Sequence, residues 1–290
     1  MILICIKVSG LCDRYARDGM PERESTSGPY RSYLKRFREE WGDHRLDEMA
    51  TDIMGIEQWL NGYQTLATPD RTVKGVIIRG RPARPASKKT KQLMKMFVHR
   101  LFELAIKWGY LTLQRNPVGL VEIKGKATRV RKLILITVDQ WNKIITDPKL
   151  APHVKVMITV AMLLGLRASE LLGLRWEDID LDNLERWVLR VRRSYVDKDV
   201  DDTKTPDSEQ ELPIHDDLRL VLEMWRTEQE PVNGWLFGNI QTGRPFWRGQ
   251  LQKNHLVPLG NRHGIPHLGW HAFRHTYRAM MRELEIPLEM

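Results

Sequence analysis

Apolar residues recur at helical spacing along most of the chain, and this pattern predicts a mainly α-helical protein. In the strongest case one apolar stripe is expected to face a core; it comprises Leu93, Met96, Phe97, Leu101, Leu104, Ala105 and Trp108. The predicted helices cover Tyr30 to Trp41, Ile53 to Leu60, Lys88 to Trp108, a segment opening at Thr137 with Gln140 in a capping box, Val154 to Leu164, Asp217 to Trp225 and Trp270 to Leu284.

A different pattern marks the strands and loops. Alternating β-branched, aromatic and polar residues predict one strand from Trp187 to Tyr195, a polar turn from Asp197 to Ser208 and a return strand from Glu211 to Ile214. These three segments form a predicted antiparallel β-hairpin. The polar residues Glu22 to Gly28, and Leu236 to Phe246 with their glycines and proline, predict loops.

A basic segment without apolar periodicity, Lys124 to Lys132 (KGKATRVRK), separates two periodic regions. We therefore expect an all-α domain over residues 28–124, a linker over 125–132 and a larger, mainly α domain with a small hairpin sheet over 133–290. Residues 1–27 stay an uncertain lead segment, for which a short strand, a disordered lead and a mis-set start are alternatives.

The charge distribution points to a polyanionic partner. The 290 residues carry a net charge of +9, and the segment from Arg81 to Lys132 holds fourteen Lys or Arg against two acids. A solvated helix face is the ordinary interpretation of such a run, but one segment holding the whole excess favours a surface that follows DNA phosphates. The candidate DNA-binding residues are Arg81, Arg84, Lys88, Lys89, Lys91, Lys95, Arg129 and Arg131.

The remaining composition excludes several classes of protein. Cys5 and Cys12 fit neither a disulfide framework nor a zinc site, and no apolar stretch is long enough to cross a bilayer. We therefore expect a cytoplasmic protein with no membrane partner.

The string from Ala161 to Asp180 (AMLLGLRASELLGLRWEDID) places a charge where apolar sequence ends. Arg167 follows Gly165 closely, and a charge beside a buried helix is costly unless it is paired or functional. Arg167 therefore either forms an ion pair with Glu170 that only stabilises the fold, or it has a function. The ion pair is the simpler of these two interpretations.

A second string, Trp270 to Met281 (WHAFRHTYRAMM), places His271 and Arg274 one helical turn apart, so both side chains can face one ligand. His271 and His275 also have the spacing of a zinc pair. No glutamate follows the first histidine and no third ligand is evident, so we predict no metal site and a structural role for His275.

A third string, Thr203 to Ile214 (TKTPDSEQELPI), places Lys204 within the predicted hairpin. Taken by itself, a lysine in a polar turn is simply solvated. Lys204 becomes a candidate functional residue only because the other two strings occur in the same chain.

Together, the three strings resemble the boxes of the tyrosine recombinase (phage integrase) family: G-L-R-x-S-E-L with L-x-W-x-D-I-D, H-x-L-R-H-T-[FY], and K-T-x-x-S-x-R-x-x-P-L. Trp108 to Val118 is similar to the end of that family's core-binding domain, and the resemblance runs from about Tyr30 to the last residue. Ala272 and Phe273 depart slightly from the second box, and Gln210 replaces an arginine of the third.

The resemblance implies an integrase-like α+β catalytic domain and transesterification at a DNA phosphate. Arg167 and Arg274 would hold the phosphate, with Glu170 supporting Arg167. Lys204 would protonate the departing DNA oxygen, and His271 would orient the phosphate or take the nucleophile's proton. No metal and no other cofactor is expected. The expected partners are duplex DNA, clamped between the two domains, and further copies of the full-length form.

The resemblance also implies a tyrosine nucleophile a few tens of residues beyond the second arginine, and none of the sixteen residues after Arg274 fits it. Tyr277 is expected to pack, and Tyr195 lies in a strand. We therefore expect that the polypeptide as given does not cleave DNA. A fragment, a decayed integrase and a non-enzymatic DNA-binding remnant remain alternatives.

Overall fold

The computed structural model describes residues 6–73, 75–125, 133–180, 187–196, 199–202, 210–229 and 232–286. The chain divides into two compact units, Met1–Val130 and Arg131–Met290, and each contains a hydrophobic core of its own. Within the described ranges helices dominate both units, and the sheets are small and antiparallel. The predicted fold class, mainly α with a small antiparallel sheet, is therefore confirmed.

Among its described residues, the first unit contains five α-helices. They are α1 (Val8–Arg14), α2 (Glu24–Trp41), α3 (Leu46–Thr51), α4 (Ile53–Gly62) and α5 (Lys88–Lys107). A π-helical turn (Tyr15–Gly19) extends α1, and a 3-10 turn (Pro117–Leu120) follows α5. Between α4 and α5, the strands β1 (Arg71–Val73) and β2 (Val76–Ile78) pair antiparallel.

The first described helix, within the predicted lead segment, belongs to this core. Val8, Leu11, Cys12 and Tyr15 have helical spacing and are all buried, so residues 8–19 are neither a strand nor a lead outside the domain. Burial raises the pKa of the Cys12 thiol to about 12.

The loop predicted from Glu22 to Gly28 is wrong beyond its first two residues, because α2 begins at Glu24. Polar side chains at the start of this helix bind one another. Ser27 Oγ donates to Glu24 Oε2 (3.1 Å), and Arg31 forms an ion pair with the same carboxylate.

The long helix α5 matches its prediction in extent but not in orientation. Ser87 caps it by accepting from the amide of Thr90. Leu93 and Met96 of the predicted stripe are exposed, and Met94, Val98 and Phe102 are buried instead. The buried face is rotated because Phe97 packs against aromatic side chains of the preceding helices, which lie far away in sequence.

The second unit contains more elements. Its helices are α6 (Val138–Ile145), α7 (Pro152–Leu164), α8 (Ala168–Leu172), α9 (Asp216–Glu228), α10 (Arg248–Leu251), α11 (Val257–Arg262) and α12 (Trp270–Glu283). Its strands are β3 (Ile179–Asp180), β4 (Val188–Val191), β5 (Arg193–Val196), β6 (Asp199–Asp202), β7 (Gln210–Pro213), β8 (Gly238–Asn239) and β9 (Arg244–Pro245). The predicted capping box of Thr137 and Gln140 opens α6.

The predicted hairpin is present in a more divided form. β4 pairs with β3 and β7, whereas β5 pairs with β6, so the single predicted strand is broken at Arg192. Beyond this break Arg193 Nη1 lies 2.8 Å from the fully buried carboxylate of Asp178. The segment predicted as a turn contains β6, and the loop predicted from Leu236 contains the short pair β8–β9.

Two helices at the centre of the second unit position its candidate site. The apolar helix α7 packs lengthwise against α12, which carries the second string of the sequence analysis. Thr276 of α12 fastens the chain leading into α6: its Oγ accepts from the amide of Ile136 (2.9 Å) and donates to the carbonyl of Ala272 (2.8 Å). Because these groups are buried, α12 has a fixed position relative to α6.

Candidate functional site

The site begins where α7 ends. Gly165 adopts a left-handed conformation (φ 63°), which terminates the helix and turns the chain into α8. The ring of Tyr277 covers Gly165 so closely that an added Cβ would lie 2.3 Å from Cδ1 of that ring. Glycine is therefore required here for two reasons, conformation and space. The contact also gives Tyr277 the packing role that the sequence predicted.

Arg167 stands at the N-cap of α8 and is held by Glu170. The carboxylate accepts from the backbone amide of Arg167 (2.7 Å) and from its Nη1 (2.6 Å). The ion pair of the simpler interpretation is thus present. The Arg167 side chain nevertheless remains 61% exposed, against 15% for Glu170. The pairing fixes the guanidinium and leaves it open to a ligand.

Arg274 reaches the same carboxylate from α12. Its Nη1 donates to the carbonyl oxygen of Gly165 (2.5 Å) and lies 3.9 Å from Glu170 Oε2. Burial, followed by the neighbouring charge of Arg167, lowers the pKa of Arg274 from its usual value. An arginine keeps its proton under such conditions, so two cations meet at one partly buried carboxylate. This arrangement favours an additional anion.

His271 lies one turn before Arg274 on the same helix and is exposed. It lines a groove of about 640 Å³ whose polar lining is Arg248, Gln252, His267, His271 and His275. The rings of His271 and His275 are 6.1 Å apart. Burial, then the proximity of His271, lowers the pKa of His275, which therefore favours its neutral form.

The groove also shows what sequence reasoning missed. Arg248, the first residue of α10, shares this lining with His271. Its sequence context, a basic residue directly after Trp247, is too common to have indicated a site. Among the described residues, no three His, Cys, Asp or Glu side chains are grouped so that they could bind a metal ion.

Lys204, Arg129 and Arg131 lie outside the described residues. The strands on either side of Lys204 are described up to Asp202 and from Gln210.

The predicted DNA-binding residues of the first unit fall into two groups. Arg81, Arg84 and Lys89 are exposed, and Lys88 opens α5. The other two have structural partners: Lys91 Nζ donates to the carbonyl of Asn61, and Lys95 Nζ donates to those of Val121 (2.6 Å) and Gly119 (3.4 Å). Lys91 and Lys95 hold the segments beside α5 and have correspondingly fewer donors to offer a ligand.

Two arginines therefore meet at one carboxylate where α7, α8 and α12 come together, and comparison with known proteins identifies the family of the chain. The model of the phage integrase family matches residues 135–290. The chain belongs to the phage integrase family. None of the helices in the described part of the chain is long and apolar enough to cross a membrane.

Two curated proteins resemble the chain. A XerC-like tyrosine recombinase of Caldanaerobacter subterraneus subsp. tengcongensis is 28% identical over 232 residues, which are 70% of this chain and 58% of that protein. The ICEBs1 integrase of Bacillus subtilis (strain 168) is 32% identical over 125 residues, 41% of this chain and 33% of that protein. The chain thus spans less than two thirds of the length of these relatives.

Solved structures show the same fold. The Tn1549 transposon integrase in complex with a circular intermediate DNA has a TM-score of 0.71 at 16% identity, over 97% of this chain and 88% of that one. A lambda integrase tetramer bound to a Holliday junction has a TM-score of 0.65 at 18% identity, over 97% and 72% of the two chains. At these identities the similarity establishes the fold.

Proposed function

We propose that this chain binds duplex DNA and holds one backbone phosphate between Arg167 and Arg274, as part of site-specific recombination by transesterification. The observation that carries the proposal is the meeting of both guanidinium groups at Glu170 (2.6 and 3.9 Å). Its relatives, a tyrosine recombinase and an integrase, and the DNA-bound integrases of the same fold support DNA as the partner. Because lambda integrase is a tetramer on a Holliday junction, we also propose that the full-length form assembles on DNA.

The residue types suit a phosphate in transfer. Charge gathers on the nonbridging oxygens during the reaction, and planar guanidinium groups bind such oxygens in pairs while staying protonated. Glu170 holds Arg167 in place, and the carbonyl of Gly165 holds Arg274. His271, exposed on the same helix, can orient a phosphate oxygen. Lys204 remains our candidate for protonating the departing DNA oxygen.

No tyrosine near the site fits the role of nucleophile among the residues described. Tyr277 packs over Gly165, and burial raises the pKa of Tyr195, which disfavours the phenolate. We therefore propose phosphate binding, without strand cleavage, for the residues of this chain by themselves. The alternative is a DNA-binding module that uses the arginines for affinity only, and it makes the same prediction for binding.

Binding is tested by fluorescence anisotropy on a labelled duplex of mixed sequence, with Arg167→Ala, Arg274→Ala and the control Arg282→Ala. Arg282 lies in the last turn of α12 and is exposed. Each lost phosphate contact should weaken binding about eightfold in 0.1 M salt and reduce the salt dependence by about 0.9. Arg274→Lys, which keeps the charge, should fall between. Equal losses in all three alanine variants would refute the phosphate assignment.

Cleavage is tested separately with a nicked duplex and a search for a protein–DNA adduct stable in detergent. The chain as given should form none. An adduct that persists in Tyr195→Phe and disappears in Tyr277→Phe, or the reverse, would show that a described tyrosine does attack DNA.

A further inference from the structure

The first unit also contains an exposed β-ribbon, which carries none of the proposed phosphate-binding residues. The short strands β1 and β2 belong to a longer antiparallel ribbon, residues 64–85, between α4 and α5. At its base the amide of Ala86 donates to the carbonyl of Tyr63 (2.9 Å) and Gln64 pairs with Pro85. The two amides and carbonyls of Thr68 and Arg81 bind each other (2.8 and 3.0 Å).

The pairs of this ribbon share one alignment from its base to its tip. Thr68 pairs with Arg81 in an isolated bridge, and Arg71 with Ile78 and Val73 with Val76 in the ladder of β1 and β2, beside Gly75 (φ 78°). Gly80 permits the closest approach, since an added Cβ there would lie 1.8 Å from the carbonyl oxygen of Thr68. Ten residues on each side correspond to a length of about 30 Å.

Both faces of the ribbon are exposed. Leu66, Ile77 and Ile78 are 58%, 68% and 41% exposed, so these apolar side chains of the ribbon bury little surface against the rest of the unit. An isolated two-stranded hairpin is at best marginally stable in water. A ribbon that is this exposed and is inserted between two core helices is typical of an element that a binding partner covers.

The charge of the ribbon identifies the partner. Residues 64–85 contain five basic residues and a single acid, Asp70. The Asp70 carboxylate is already occupied by the amide of Gly80 (2.5 Å). Within the described part of the chain, Arg71, Arg79, Arg81 and Arg84 have no side-chain hydrogen bond or ion pair. Four guanidinium groups without a side-chain partner, against one acid whose carboxylate accepts from a backbone amide, match a phosphate backbone.

We infer that the ribbon is a second DNA-contacting element, which lies in the major groove of duplex DNA. A two-stranded ribbon fits the major groove, which is about 12 Å wide. By strand alternation Ile77, Arg79 and Arg81 share one face, so apolar contact with bases and contact with phosphates occur together. This inference rests on the proposed function, because it takes the same DNA as partner.

The first test measures salt dependence of binding to a mixed-sequence duplex of 40 base pairs or so. Arg79→Gln with Arg81→Gln is compared with the control Lys107→Gln and Arg115→Gln, two exposed residues of the same unit outside the ribbon. The ribbon variant should lose about 0.9 per arginine from the slope of log K against log salt, and the control should not. Equal slopes for the two variants would overturn the inference.

The second test places p-benzoylphenylalanine at Ile77 and, as a control, at Met54, which is 70% exposed on α4. Irradiation should crosslink the first protein to the duplex and leave the second uncrosslinked. A crosslink from Ile77 to another copy of the protein, formed without DNA, would show a protein contact instead. If the parent chain binds no duplex, the proposed function fails as well; if it binds and only the ribbon variants behave like their controls, the inference alone fails.

Discussion

Replacing Gly165 by alanine should destabilise the second unit and disturb the phosphate site together. Gly165 has a left-handed backbone (φ 63°) that costs an alanine about 1–2 kcal/mol. The new Cβ would also lie 2.3 Å from the Tyr277 ring, and such overpacking costs about 1–3 kcal/mol. The sum is about 2–5 kcal/mol. Because the Gly165 carbonyl holds Arg274, the same change should weaken DNA binding.

Hydrogen exchange measures this destabilisation locally. A local measurement is needed because a chain of two units need not unfold in a single transition. Peptides from α7 and α12 should exchange at least about thirtyfold faster in Gly165→Ala, the equivalent of 2 kcal/mol. A matched control is Gly264→Ala, since Gly264 is also left-handed (φ 67°) but its Cβ would meet nothing within 4 Å. That variant should show only the backbone cost, in the peptide that contains α11.

A double-mutant cycle isolates the steric contribution to the destabilisation by Gly165→Ala. Adding Tyr277→Ala to Gly165→Ala should recover the overpacking cost, so the two changes should couple by about 1–3 kcal/mol. Additive effects of the two substitutions, or a Gly165→Ala protein whose α7 and α12 exchange at the parent rate, would refute the explanation of this junction.

Two further predictions concern buried polar groups of the same unit. Thr276→Val removes the partner of the buried Ile136 amide and should cost about 1–3 kcal/mol by exchange of α12, whereas Thr276→Ser should cost less. Burial raises the pKa of Asp147, but His263, the Lys149 amide and Arg262 lower it to a net value of about 2. This value is below that of an unfolded aspartate, so the stabilisation is present above about pH 4 and disappears as the pH falls toward 2. Asp147→Asn should therefore lower the temperature of the second unit's unfolding transition at pH 7 and have little effect near pH 2; equal losses at both would contradict the assignment.

The site residues were predictable because their relations are local. Arg167 and Glu170, and likewise His271 and Arg274, are three positions apart in sequence, and each pair lies on one helical turn. Gly165 directly follows an apolar run and therefore predicted the end of that helix. The meeting of Arg274 with Glu170, over a hundred positions apart in sequence, required the packing of α12 on α7, for which no local pattern exists.

The ribbon and the orientation of α5 were not predictable for related reasons. A ribbon exposed on both faces has no alternation of apolar and polar residues, and its pairing depends on residues as distant in sequence as Gln64 and Pro85. The apolar positions of α5 are numerous enough for more than one stripe. Only the aromatic side chains around Phe97 decide that Met94 is buried and Met96 is exposed.

The choice of arginine at position 274 follows from the geometry of the junction. Its guanidinium has five donors in a rigid plane, of which one goes to the carbonyl of Gly165 while the group also lies near Glu170. The remaining donors are available to a ligand without loss of that anchor. A lysine concentrates its three donors at one atom, so the same ammonium group would have to serve both the fold and the ligand. The helix end, the anchor and the proposed phosphate contact therefore depend on one planar side chain.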